Sequence, residues 1–113
     1  MSDTQVLPEK ARIAIIGGGI IGTSVAYHLA KRGIKDVILI ERKQLTSGTT
    51  WHAAGLVSLS WPTPTLTNLA KYSHELYASL EEETGQATGY KQIGSISLAR
   101  TEARLEEIKR TSS

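Results

Sequence analysis

The sequence predicts an α/β fold built on a parallel sheet, of which this chain supplies the opening strand–helix–strand unit. Three observations carry that expectation. A continuously apolar run, A-R-I-A-I-I at 11–16, leads directly into G-G-G-I-I-G at 17–22. The glycines open a stretch in which Ile21, Val25 and Leu29 recur at four-residue spacing. A second apolar run, D-V-I-L-I-E at 36–41, ends in an acid. Unbroken apolar runs suit strands buried on both faces, and the four-residue spacing suits a helix. Strand, crossover helix and strand within about thirty residues make one βαβ unit.

Composition limits what that unit can belong to. The chain has 113 residues, 40% apolar and 21% charged, which fits one soluble globular portion rather than a disordered segment. A net charge of +2 with mixed signs argues against nucleic acid or an anionic membrane as partner. Without cysteine the chain has no disulfide, thiolate metal site, iron–sulfur cluster or cysteine nucleophile of its own. M-S-D-T-Q-V-L-P-E-K has neither an apolar signal core nor an Arg/Ser-rich presequence. The most apolar stretch, 13–21, contains three glycines and is too short to cross a bilayer. The expectation is a cytoplasmic protein with no membrane partner, with 1–10 a flexible tail and 11–113 the folded portion.

The remaining elements follow in order. Lys31 and Arg32 complement the C-terminal dipole of the first helix, and Gly33 suits its C′ position. From Arg42 to about Pro64 runs a long loop rich in Gly, Thr and Ser, a length that usually signals function or disorder. Leu66, Leu69, Tyr72, Leu76, Tyr77 and Leu80 then predict a helix over 65–83, with Gly85 just past its end. G-Y-K-Q-I-G-S-I-S-L-A at 89–99 predicts one or two short strands broken at Gly94, and Thr101 caps a final helix.

The chemistry centres on Gly17-x-Gly19-x-x-Gly22. After a strand and at a helix start, this spacing cradles a pyrophosphate. Gly17 permits the turn, Gly19 lets phosphate approach the backbone, and Gly22 lets helix and strand pack closely. The helix start offers free N–H groups and a positive dipole end. Glu41, nineteen residues past Gly22, lies where a carboxylate accepts hydrogen bonds from a ribose and repels a 2′-phosphate. FAD or NAD is therefore favoured over NADP. The βαβ unit does not separate those two. The small-residue stretches S-G-T-T at 47–50 and A-A-G at 53–55 offer a second cradle, which suits the longer FAD.

E-R-K-Q-L-T-S-G-T-T-W-H-A-A-G-L at 41–56 closely resembles the loop of the dimethylglycine dehydrogenase and sarcosine dehydrogenase family. The likeness continues through Y-H-L-A-K-R-G at 27–33, L-E-E-E-T-G at 80–85 and Q-I-G-S-I-S-L-A at 92–99. It implies an incomplete N-terminal part of a glutathione-reductase-like, Rossmann-type FAD-binding fold. The cofactor-binding positions are then Gly17, Gly19, Ile20, Ile21, Gly22, Glu41, Arg42, Gly48, Thr49, Thr50, Trp51, His52, Ala53, Ala54, Gly55 and Leu56. The resemblance implies that His52 is joined covalently to the flavin 8α-methyl, with Trp51 bracing the loop. It also implies oxidative demethylation of dimethylglycine, sarcosine or a similar N-methyl amine by hydride transfer to FAD. Electrons pass to an electron-transfer flavoprotein or to oxygen.

Family members are several times longer. The substrate domain is expected to lie outside this chain, as is any C-terminal region binding tetrahydrofolate. No catalytic residue and no metal site is expected within it. An NAD-binding dehydrogenase module, or a non-catalytic nucleotide-binding remnant, is the alternative. His28 and His74 read as structural or exposed, Glu81, Glu82 and Glu83 as a solvated helix end, and Trp61 with Pro62-Thr63-Pro64 as packing. Glu106, Glu107, Lys109 and Arg110 form an exposed face with i,i+3 pairing.

Overall fold

The computed structural model describes residues 8–59 and 61–111. Residues 1–7 of the expected flexible tail lie outside the described residues, and residues 8–10 are exposed. The chain forms two units, Met1–Gly55 and Leu56–Ser113.

The first unit holds β1 (Ile13–Ile16), α1 (Ile20–Lys31) and β2 (Val37–Ile40). The strands are parallel, with Ile13 opposite Val37 and Ile16 opposite Ile40. Both strands start later than their apolar runs for a local reason. The Asp36 carboxylate takes the Arg12 N–H at 3.0 Å, so the backbone ladder opens one residue later, with the Ile13 N–H donating to the Asp36 carbonyl at 3.2 Å. α1 ends in a Schellman motif. Gly33 takes φ 79°, its N–H donates to the Ala30 carbonyl at 2.9 Å, and the Ile34 N–H donates to Leu29 at 3.0 Å. This stop returns the chain to the sheet as β2.

The second unit holds α2 (Pro64–Thr84) and α3 (Glu102–Thr111). α2 begins just before its apolar period. Thr63 caps it by accepting from the Leu66 N–H at 3.4 Å, and Pro64 occupies the first turn, where a missing N–H breaks no helical bond. Gly85 ends α2 in the left-handed region at φ 72°. Thr101 caps α3, its Oγ1 accepting from Arg104 at 3.2 Å. The i,i+3 pairs on α3 are Arg104–Glu107 and Lys109–Glu106.

The strands expected over 89–99 are not formed. Ile93, Ile96 and Leu98 are each at least 81% exposed. A strand is defined by its ladder, and no partner strand stands beside this segment among the described residues. Gly94 does break it, at φ 75°. Among the described residues Ala70 is the single buried apolar side chain. No described helix is long and apolar enough to cross a membrane.

Candidate cofactor site

The site begins where β1 ends. The Gly17 N–H donates to the Ile40 carbonyl at 2.8 Å, carrying the pairing one step past the strands. Gly17 then turns the chain at φ 102°. A Cβ on Gly22 would sit 1.9 Å from the Gly17 carbonyl oxygen, so α1 can follow β1 this closely only with glycine there. A Cβ on Gly19 would lie 2.9 Å from Thr50 Oγ1.

Gly18, a free position in the motif, proves constrained as well, though by side chains rather than backbone. It is buried, and a Cβ there would lie 2.5 Å from Leu45 Cδ2 and 3.1 Å from Glu41 Cβ. Sequence reasoning missed this residue, although the run of three glycines was its signal.

Glu41 is held by the backbone around it. Its Oε2 accepts the Gly18 N–H at 2.7 Å and its Oε1 accepts the Lys43 N–H at 2.8 Å. The Gly18 N–H, followed by that of Lys43, lowers the Glu41 pKa below 4.5, against a smaller desolvation effect. A carboxylate offers about four acceptor positions. Two backbone donors leave one free on each oxygen, which suits the two hydroxyls of a ribose. The rotamer is thus set before any ligand arrives.

The loop after β2 closes over the glycine turn. Thr46 adopts φ 67°, the left-handed region, which costs a β-branched residue about 1–2 kcal/mol. Its N–H donates to the Gly18 carbonyl at 2.9 Å, and its carbonyl accepts from Trp51 at 3.1 Å. Sequence reasoning missed Thr46, and Leu45 beside it. A single 3-10 turn follows, Thr49–His52. From it Thr50 Oγ1 accepts the Ile20 N–H at 2.9 Å. Gly19, the N-cap of α1, has no side chain to do this, so a residue thirty positions later supplies the cap. The Thr50 hydroxyl hydrogen stays free to donate to an anion at the helix start.

His52 lies on the same turn. Its Nδ1 is 3.0 Å from the Gly48 carbonyl. A carbonyl only accepts, so Nδ1 carries the hydrogen, and Nε2 of the neutral ring keeps its lone pair. The apolar bracing expected of Trp51 is not made. The residue is 78% exposed, and Trp51 holds the loop through its backbone N–H, which reaches the Thr46 and Gly48 carbonyls at 3.1 Å. Ile20 and Ile21 are exposed at the helix start, and Arg42, Gly48, Thr49, Ala53, Ala54 and Gly55 are exposed along the loop. Leu56, also exposed, opens the second unit. The structure therefore brings Gly17, Gly19, Gly22, Glu41 and Thr50 together, with His52 on the adjoining turn.

These residues fit the adenosine and pyrophosphate part of FAD. The cradle is closed to any Cβ at 19 and 22, the acid retains free acceptors, and a helix start faces the turn. The other singled-out groups lie elsewhere. His28 Nδ1 contacts the Ser24 carbonyl at 2.7 Å within α1. His74 hydrogen-bonds the Tyr90 hydroxyl, and Tyr90 stacks on Tyr77. Trp61 Nε1 donates to the Ser58 carbonyl at 2.9 Å. Among the described residues no group of three His, Cys, Asp or Glu is arranged to hold a metal.

A family model described as "FAD dependent oxidoreductase" matches residues 12–113. The chain is 52% identical over 101 residues to "Dimethylglycine dehydrogenase, mitochondrial" of Homo sapiens, covering 89% of this chain and 12% of that protein. It is 49% identical over 107 residues to "Pyruvate dehydrogenase phosphatase regulatory subunit, mitochondrial" of Mus musculus, covering 95% and 12%. It is 44% identical over 108 residues to "Sarcosine dehydrogenase, mitochondrial" of Mus musculus, again covering 95% and 12%. The fold resembles the crystal structure of glycine oxidase from Bacillus cereus ATCC 14579, with TM-score 0.68 and 39% identity over 89% of this chain and 29% of that one. The chain thus spans about an eighth of the length of these curated relatives.

Proposed function

The chain belongs to the family of FAD dependent oxidoreductases, and from that premise we propose that it is the N-terminal FAD-binding segment of a flavin-dependent amine oxidoreductase. The substrate would be dimethylglycine, sarcosine or a similar N-methyl amine. Hydride would pass to FAD, and electrons onward to an electron-transfer flavoprotein or oxygen. The observation that carries this reading is His52, held through Nδ1 by the Gly48 carbonyl on the turn whose Thr50 caps the nucleotide helix.

When bound, FAD supplies the two-electron chemistry. This chain's residues bind and orient it. Gly17–Gly22 and the start of α1 would receive the pyrophosphate, Thr50 would donate its hydroxyl hydrogen there, and Glu41 would accept from the ribose. His52 would present Nε2 as the nitrogen that bonds the flavin 8α carbon; the methyl gives up a proton, the imidazole its N–H proton, and the electron pair rests on the flavin until the acceptor removes it. Binding of substrate, and of any tetrahydrofolate, falls to chain beyond this segment.

The test is an assay of the full-length protein, with formaldehyde release from dimethylglycine and sarcosine as the readout. Bound FAD with turnover of either amine supports the reading, whereas bound FAD without turnover of either contradicts it. A second reading, a non-catalytic nucleotide-binding module, draws on the 49% identity to a phosphatase regulatory subunit. A protein that binds no FAD and turns over neither amine favours it. The cytosolic placement is tested by cell fractionation, since the three relatives carry "mitochondrial" in their names; recovery with mitochondria contradicts it.

A further inference from the structure

Thr46 is the one described non-glycine residue with positive φ, at 67°, and no motif assigns it a role. We propose that Thr46 is a positioning residue that couples the nucleotide turn to the Trp51–His52 turn; this inference rests on the FAD reading above.

Glu41 Oε2 accepts the Gly18 N–H at 2.7 Å. The Gly18 carbonyl accepts the Thr46 N–H at 2.9 Å, and the Thr46 carbonyl accepts the Trp51 N–H at 3.1 Å. His52 is the next residue. A hydrogen-bonded path therefore runs from the ribose-binding acid to the Trp51 N–H, one residue before the imidazole. Every bond donates in the same sense, from Trp51 through Thr46 and Gly18 to Glu41. Left-handed backbone at Thr46 points the N–H at Gly18 and the carbonyl at Trp51; right-handed or extended backbone turns one of them away. Leu45 reinforces the junction, because its Cδ2 occupies the space a Gly18 side chain would need. A second tether joins the same parts, from Thr50 Oγ1 to the Ile20 N–H at 2.9 Å. Two attachments fix an orientation where one leaves a pivot. Filling the nucleotide cradle thereby steadies the histidine turn, which positions Nε2 without Thr46 touching the flavin.

ADP, the nucleotide half alone, serves as the probe. Amide hydrogen exchange of the full-length protein, prepared without flavin so that the cradle is open, is followed at Thr46 and Trp51 with and without ADP, and binding is measured separately by calorimetry. Exchange at both positions is expected to slow together, on the order of tenfold. Thr46→Gly accepts the same backbone and keeps its N–H, so it retains the joint response. Thr46→Pro fixes φ near −65° and has no N–H, so it binds ADP with no response at Trp51. Slowing at Thr46 but not Trp51 in the unaltered chain overturns the coupling, with no variant required. So does a Thr46→Pro chain that keeps the Trp51 response. Flavin-free, unaltered full-length protein that binds no ADP overturns the cofactor reading and this inference with it.

Discussion

Gly18 and Glu41, 23 residues apart, meet through a 2.7 Å hydrogen bond from the glycine N–H to the carboxylate Oε2. The bond joins the end of one strand to the end of the next and fixes the acid's rotamer. It also makes the glycines rankable. Gly22→Ala sets a Cβ 1.9 Å from a backbone oxygen that cannot move aside, whereas Gly18→Ala chiefly displaces the end of Leu45. We expect Gly22→Ala to destabilise by about 3 kcal/mol or more and Gly18→Ala by about 1–2. A Cβ at Gly48 meets nothing within 4 Å, so Gly48→Ala should leave stability unchanged. Thermal melts and FAD content of the full-length variants test the order. An equal loss at 18 and 48 contradicts it.

Glu41 sets a pH limit. Its folded pKa is lowered below 4.5, first by the Gly18 N–H. A depressed carboxylate contributes fully above its unfolded value and loses that contribution as pH falls through the folded pKa. The Gly18–Glu41 bond should therefore survive at pH 5 and fail only below pH 4.5. A carboxyl-carbon NMR titration of Glu41 reads this directly, and a midpoint at or above 4.5 contradicts it.

Thr50 caps α1 from outside the helix. Thr50→Val keeps the shape but strands the Ile20 N–H without its acceptor, at an expected cost of about 1 kcal/mol. Thr50→Ser should restore most of it. Comparison of the two melts separates the hydroxyl from the methyl; equal stability of Ser and Val variants contradicts the cap.

The 113-residue chain taken alone should melt without a cooperative transition. Ala70 is its single buried apolar side chain among the described residues, and Ile16, Leu56, Ile93 and Ile96 are almost fully exposed. A parallel sheet is ordinarily covered on both faces; this one has two strands. Calorimetry of the isolated chain decides, and a sharp two-state endotherm contradicts the expectation.

What the sequence made legible was local. Apolar runs marked β1 and β2, the Gly17–Gly22 spacing marked the turn, and Gly33, Gly85 and Thr101 marked helix ends through their own backbone and cap chemistry. What it hid depends on partners. Nothing in a threonine announces φ 67°; the bonds to Gly18 and Trp51 accompany that conformation. Gly18 lay behind a motif that treats its position as free. Residues 89–99 have strand-like composition but no ladder. Trp51 looked like an apolar brace, yet its backbone N–H makes the contact.

The central claim is that His52, its Nδ1 committed to the Gly48 carbonyl, carries the flavin on Nε2. The most direct measurement is mass spectrometry of the full-length protein after denaturation, with mapping of the peptide that contains His52. That peptide should be heavier by the mass of FAD less two hydrogens, with fragment ions placing the addition on His52, and acid should release free FAD from His52→Ala. An unmodified His52 peptide from protein whose FAD is fully released by acid contradicts it.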